Sequence, residues 1–529
     1  MSSLFERLHR DRIAAALLVL LGAVLLLLTT HHGPGLCNDS SRLATADSLA
    51  NHGAFAIEHS YFSYTCDKIK VAGHFYSDKP PVLSLYLAGV LAAVQPLTHW
   101  TVARDLGSLY FVLALLSSGL SFLLCLLGVY RLSRLAGLEV EGSMLLAASA
   151  CVATLMLPYS TVISSHAVGA PCLVWLFVLV YGERRRSGRL GAARAVGMGL
   201  LAGLGAVIEP LSVAFSAPLL IAALSYTESR SRIGWVVLGG LLPLAPHVAI
   251  THHLSGSLLL PNLDPSHFRF VGSMHTRKNL SGVGWAHHSL QGFLVYAFHS
   301  LLGYRGAVLY SPPAALGALC AVALASGATG SDRDRRLFVA LCVGMLAFFA
   351  LTLGFSNNYS GWSYGVRWQA TPAPLVAAMT GLFMVRVRGR LRQLVAAGLV
   401  TTTAIGAMLA GLGTLDPWTP STNKEFSFVE VVSDKPVYIQ ALLRQAAALA
   451  AMKRYAAARF TAEEVIRRTS SVDKAWLLAI GTSMQLGDTA RLLDYRTRLE
   501  SAALALSPRF RQEAVAKIDA FLAQHGAGS

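Results

Sequence analysis

GHFYSDKPPVLSLY, residues 73–86, sets Asp78-Lys79 against Pro80-Pro81 and runs straight into an apolar segment. Two prolines fit the start of a helix, where the missing N–H groups cost nothing. The apolar stretch that follows, 82–97, is bracketed by Pro81 and Pro96. It falls short of the ~20 residues that usually span a bilayer. Whether it crosses decides the side on which every later polar residue lies.

The surroundings make that a membrane question. Of 529 residues, 54% are hydrophobic and only 14% charged, with a mean hydropathy of +0.52. So few charges cannot cover a soluble protein of this size, so the composition reads as a polytopic membrane protein. The first apolar run, 13–30, is expected to be a retained helix rather than a signal peptide, because His31-His32-Gly33-Pro34-Gly35 follows it in place of a small-residue cleavage site. The net charge of +16 does not point to nucleic acid. The basic residues fall in short clusters between apolar runs, as cytoplasmic loops do.

Those clusters are Arg7/Arg10/Arg12, Arg131/Arg134, Arg184–Arg186 with Arg189 and Arg194, Arg230/Arg232, Arg333/Arg335/Arg336, and Arg386/Arg388/Arg390/Arg392. All lie on one side only if 82–97 does not cross. The resulting fold class is an all-α polytopic bundle of about eleven transmembrane helices with interfacial helices in the outer loops. The spans are expected at 13–30, 107–130, 143–157, 167–182, 195–209, 211–226, 234–251, 305–326, 337–354, 368–385 and 393–413. The domain division is 1–413, a transmembrane catalytic domain; 414–433, a linker; and 434–529, an extracytoplasmic helical domain. Within the first, 31–106 and 252–304 are the large outer loops, and 293–302 reads as another interfacial segment. The expected location is the inner (plasma) membrane, with the polar loops and C-terminal domain periplasmic.

Cys37 and Cys66 lie in the first outer loop, where either a disulfide or two free thiols fits. In the C-terminal region, MKRYAAA from Met452 and LGDTARL from Leu486 stand 34 residues apart. That is the period of tetratricopeptide helix pairs, although a plain helical bundle fits as well. Such a domain suggests a protein partner by analogy alone.

Four outer stretches carry the chemistry. Asp39 opens a helical pattern (Leu43, Ala46, Leu49, Ala50, with Gly53 as stop) and serves either as an N-cap or as a shielded base. Lys79 beside the Pro80-Pro81 helix start either snorkels or meets a phosphate. His166 in PYSTVISSHAVGA is an interfacial hydrogen-bonder or a site residue. In SNNYSGWSYGVRW, Arg367 needs an anion, and Trp362, Tyr364 and Trp368 form an aromatic belt or faces for a sugar. A carboxylate, fixed cations, a histidine and aromatic faces on one side suit a lipid-linked phosphosugar.

With Asp39 and Arg42, FYSDKPPVLSLY, PYSTVISSHAVGA, LLGYRGAVLYSP and NNYSGWSYGVRW in view, the chain resembles the GT-C superfamily of polyprenyl-phosphate-dependent glycosyltransferases. The protein O-mannosyltransferase and aminoarabinose transferase branch is the most similar. The resemblance implies transfer of a hexosyl or pentosyl group, with inversion, from a polyprenyl-phosphate donor to a hydroxyl of an extracytoplasmic glycolipid, polysaccharide or protein. It makes Asp39 the catalytic base and Lys79, Arg367, His166 and Arg305 the donor-phosphate ligands. Asp78, Tyr76, Trp362 and Tyr364 would face sugar or acceptor. The resemblance fixes no cofactor; relatives vary in their use of a divalent metal, which the sequence does not favour, and no metal ligands are assigned. The alternative is a transporter or flippase for a lipid-linked sugar, which should carry ionisable residues at mid-membrane, where Glu209 is the main exception.

Overall fold

The computed structural model describes residues 2–35, 37–183, 190–225, 231–273, 275, 284–327, 331–419, 426–431, 436–501, 504 and 506–525. The chain is all-α apart from one two-stranded hairpin. Among these residues seven helices are long and apolar enough to cross a membrane. Six of them, His9–Thr29, Leu106–Ala136, Ser165–Glu183, Arg232–Ser255, Asp332–Gly354 and Gly389–Gly413, coincide with expected spans. Five shorter apolar helices, Val140–Val152, Ala192–Ile208, Pro210–Leu224, Pro312–Ala325 and Ala373–Met384, match the other five. The seventh long helix is Pro81–Thr98, which begins at the two prolines as their chemistry requires. It packs chiefly on the first-loop helix Cys37–His52, and also touches the start of Leu106–Ala136, Ala192–Ile208 and Ser231–Ser255. The basic residues at 184–186, 189 and 230 lie outside the described residues.

The first outer loop is an ordered subdomain built on the helix Cys37–His52. Gly53, at φ +66°, ends that helix as expected. Asp39 sits within its first turn rather than at the cap, because the helix already starts at Cys37. Cys37 and Cys66 are bonded, which fastens the helix start to the strand Lys68–Val71. That strand pairs antiparallel with His74–Ser77 in a register that sets Lys68 opposite Ser77. The connecting Ala72 and Gly73 both take positive φ, the two-residue turn that right-twisted strands favour. The hairpin was not expected. Its consequence is that Asp67 and Asp78, at its two ends, face each other. Farther along, Leu290–Leu301 is helical and leaves Leu290, Leu294, Val295, Phe298 and Leu302 exposed, as an interfacial helix would.

After the last span the chain does not behave as a linker. Trp418 and Thr419 are buried, and Ser427, Glu430 and Val431 of the short helix Ser427–Val431 pack into the bundle. Arg305 of the YRG motif is 0% exposed and pairs with Glu430 at 2.7 Å. It also donates to the Ser363 carbonyl at 2.8 Å and to Ser427. Arg305 is therefore a structural cation, not a donor-phosphate ligand; its charge is consumed inside the fold.

The C-terminal helices Pro436–Ala451, Tyr455–Arg468, Asp473–Leu486, Thr489–Glu500 and Pro508–Gln524 pack in series around Trp476, Ile480, Leu492 and Tyr495. This unit is docked on the first loop. Arg454 donates to the Ser60 carbonyl at 3.2 Å and lies 4.9 Å over the Tyr61 ring. Leu449 and Ala456–Ala458 join the first loop's apolar cluster.

Removing one partner of a buried pair costs more than replacing both, because the survivor stays uncompensated in low dielectric. Glu430→Ala is therefore expected to destabilise the purified protein by about 3–5 kcal/mol. Arg305→Met with Glu430→Leu should recover most of that loss in a thermal unfolding measurement.

Candidate functional site

The helix Cys37–His52 organises the site because it is polar and yet enclosed: residues 38–48 are all buried. Buried polar groups need partners, and here many come from other elements. Asp39 is 0% exposed. Its Oδ2 accepts from the Tyr110 hydroxyl at 2.8 Å and the Gly35 N–H at 3.0 Å, and its Oδ1 from the Ser40 N–H at 3.0 Å. These donors occupy both carboxylate oxygens and hold the side chain in place.

One turn on, the Ser41 hydroxyl lies within reach of the Asp67 carbonyl, Ser77 and Asp78. Arg42 points the other way. It donates to the Asn38 carbonyl at 2.9 Å and to Ser165 at 2.8 Å, at the start of the helix Ser165–Glu183. Burial acts against the Arg42 charge, and Asp78 and Glu209 are the carboxylates that offset it.

Two ionic clusters flank Arg42. In the first, Lys79 Nζ stands 2.9 Å from both Asp67 and Asp78. His275 Nε2 stands 3.4 Å from Asp67, too long and oblique for a good hydrogen bond. Lys79 is thus already paired, which corrects its expected role as a phosphate ligand: the hairpin register gives it two carboxylates of its own. One ligand atom each from Asp67, Asp78 and His275 lies within 4.8 Å of the others. Two carboxylates and an imidazole suit a divalent cation. Lys79 supplies positive charge at the same point, so such an ion would compete with it. Tyr76, Asp78, Lys79 and Pro81 line a cleft with Thr45, Thr251 and Asn262, which keeps Tyr76 and Asp78 at an accessible surface.

In the second cluster His166 Nδ1 is 2.6 Å from Glu209 Oε2. Ser165 donates to the same Glu209 oxygen at 3.2 Å, completing the chain Arg42–Ser165–Glu209–His166. Arg367 lies 5.6 Å over the Trp418 ring, and its buried Nε has no hydrogen-bond partner. Among the described residues its guanidinium forms no ion pair.

The aromatic residues of the GWSYGVRW stretch divide. Trp362 is 41% exposed and lines a cleft with His31, Trp418 and Phe460. Tyr364 is fully buried, packs edge-to-face on Tyr310 at 5.0 Å and donates to the Leu409 carbonyl. It is a core residue, not a sugar face, since all its surface is taken by the bundle. Asp67, His275, Ser165 and Glu209 were missed in the sequence. Glu209 alone carried a signal, as an ionisable residue between two apolar helices.

No family model matches the chain, and no curated protein matches it. Among solved structures, it is similar to the Archaeoglobus fulgidus oligosaccharyltransferase in the apo form, with 14% identity and a TM-score of 0.43. It is also similar to ArnT from Cupriavidus metallidurans, at 15% identity and TM-score 0.45 bound to undecaprenyl phosphate, and at 14% and 0.47 in the apo state. The match to the oligosaccharyltransferase covers 82% of this chain and 57% of that one. The matches to ArnT cover 92% of this chain and 79% of that one.

The first cluster gives a pH dependence with two sides. Burial opposes the Asp67 anion, but Lys79 and His275 hold its carboxyl below the usual range. Its contribution is present above the ordinary carboxylate value and is lost as pH falls. The contact with Asp67 outweighs burial and raises His275. That contribution is full below the ordinary histidine value of about 6.5 and is lost as pH rises through the higher folded value. The hold of 265–273 on the first loop should therefore weaken as pH rises beyond that point. Hydrogen exchange of this segment against pH should show the step, and His275→Gln should abolish it.

Proposed function

We propose that the chain transfers a sugar from a polyprenyl-phosphate donor to a hydroxyl of an extracytoplasmic acceptor, inverting the anomeric carbon. The observation that supports this most is the Arg367 guanidinium, which has no ion-pair partner among the described residues and lies over Trp418 near His166 and the buried Arg42. A cation so placed is costly without an anion, and the anion that fits an envelope of apolar helices is a lipid phosphate. The acceptor oxygen attacks the anomeric carbon while the bond to the phosphate oxygen breaks and its electron pair leaves with the polyprenyl phosphate. Arg367 and Arg42 neutralise that leaving group, and preorganised charges of this kind supply several kcal/mol.

Asp39 is the carboxylate to which the resemblance gives the chemistry. In the observed geometry it acts by holding Tyr110 and the Gly35 turn, and contact with an acceptor hydroxyl requires those donors to part. Trp362 and the cleft beside it offer a face to acceptor or sugar. The periplasmic orientation of this face and an inner-membrane location follow from the distribution of basic residues and belong to the same proposal.

The test is release of undecaprenyl phosphate from radiolabelled undecaprenyl-phosphate sugars by purified protein, with a membrane extract as acceptor. Arg367→Gln is expected to lower the rate about 10²-fold, the size of one lost stabilising donor. Asp39→Asn should lower it as well. Absence of release from any donor would favour transport without transfer.

A further inference from the structure

Asp39, to which the resemblance gives the acceptor proton, is enclosed and accepts from Tyr110, Gly35 and Ser40. A second candidate is built into the same core. His166 Nδ1 faces Glu209 at 2.6 Å, although the oxygen lies off the ring's N–H direction. Its Nε2 has no partner among the described residues and keeps contact with solvent.

The surroundings fix both members. Ser165 donates to Glu209, and Thr371 donates to the His166 carbonyl at 3.0 Å. Gly169, one turn beyond His166, permits the approach: a Cβ there would stand 2.8 Å from that of Glu209. The Tyr159 ring meets the imidazole edge-to-face at 6.5 Å. The charged groups bearing on His166 are Glu209, from the turn between two apolar helices; Arg367, from the GVRW stretch; and Arg42, from the first-loop helix. Those two arginines are the proposed phosphate ligands, so the imidazole belongs to the same site.

Resting on the transferase reading, we infer that His166 is the proton acceptor and that Glu209 is its positioning residue. As the acceptor oxygen bonds to the anomeric carbon and the carbon–phosphate-oxygen bond breaks, the hydroxyl proton passes to His166 Nε2. Glu209, 2.6 Å from Nδ1, balances the charge of the imidazolium that forms, which then returns its proton to water. A carboxylate behind a histidine performs this orienting and charge-balancing task in hydrolytic triads.

The experiment is the pH dependence of undecaprenyl-phosphate release by the full chain in detergent, for wild type, His166→Gln, Glu209→Gln, Glu209→Asp and Asp39→Asn. Binding of undecaprenyl phosphate to each protein is measured alongside, and reports folding and phosphate affinity apart from turnover. Wild type should show an acidic limb, because the imidazole must be neutral to accept a proton. His166→Gln should lose that limb and about 10²-fold or more in kcat, the usual worth of a general base. Glu209→Gln should keep the limb but move it to lower pH, since the charge that favours imidazolium is gone. Glu209→Asp should restore part of the rate, and Asp39→Asn should leave the limb in place. Lipid binding should survive in both Glu209 variants. An unchanged limb in Glu209→Gln and His166→Gln, or a limb lost in Asp39→Asn, overturns the dyad and leaves the transferase standing. Absence of release by wild type overturns both.

Discussion

A polar helix with no exposed face can exist only if the rest of the fold supplies a partner for each of its side chains. The helix Cys37–His52 is such an element, and its needs account for much of the architecture. Asp39 recruits Tyr110 from the following span, Ser41 the ends of the hairpin, and Arg42 the start of Ser165–Glu183. Asp47 takes the Ser60 hydroxyl and the Tyr61 N–H, both at the surface where the C-terminal helices dock. A low-dielectric interior makes each of these bonds strong and each unmade one expensive. The helix therefore fixes the rest of the first loop against the following span and the start of Ser165–Glu183.

Charge balance separates the two ionic clusters in function. Around Asp67 and Asp78 the protein furnishes its own counter-charges, Lys79 and His275. Around Glu209 the arginines outnumber the carboxylate, since Arg42 reaches it only through Ser165 and Arg367 pairs with no acidic group among the described residues. An anion gains more at the second place than at the first. Lys79, conspicuous in the sequence beside its two prolines, turns out to belong to the neutral cluster.

What could be read in advance was local or periodic. Apolar run length and the placement of arginines located eleven of the apolar helices, and two prolines located the start of Pro81–Thr98. Cys37 and Cys66 offered a bridge or free thiols, and only the fold brought them together. The contacts that assign roles were hidden because they span long separations. Arg305 meets Glu430 and Asp39 meets Tyr110, while the helical C-terminal region was legible but its seat on Tyr61 was not. Tyr364 and Trp362 stand two residues apart in one motif, yet one is core and the other surface. Composition cannot distinguish them; the turn they occupy does.

The Arg305–Glu430 contact also orders events during synthesis. Arg305 enters the nascent bundle well before Glu430 leaves the ribosome, with four apolar helices still to come between them. For that interval the membrane part holds a guanidinium with no counter-charge, and it closes only when the chain has passed its last span and turned back. A chain truncated after the final span therefore lacks the carboxylate that closes this pair, however well its helices have inserted.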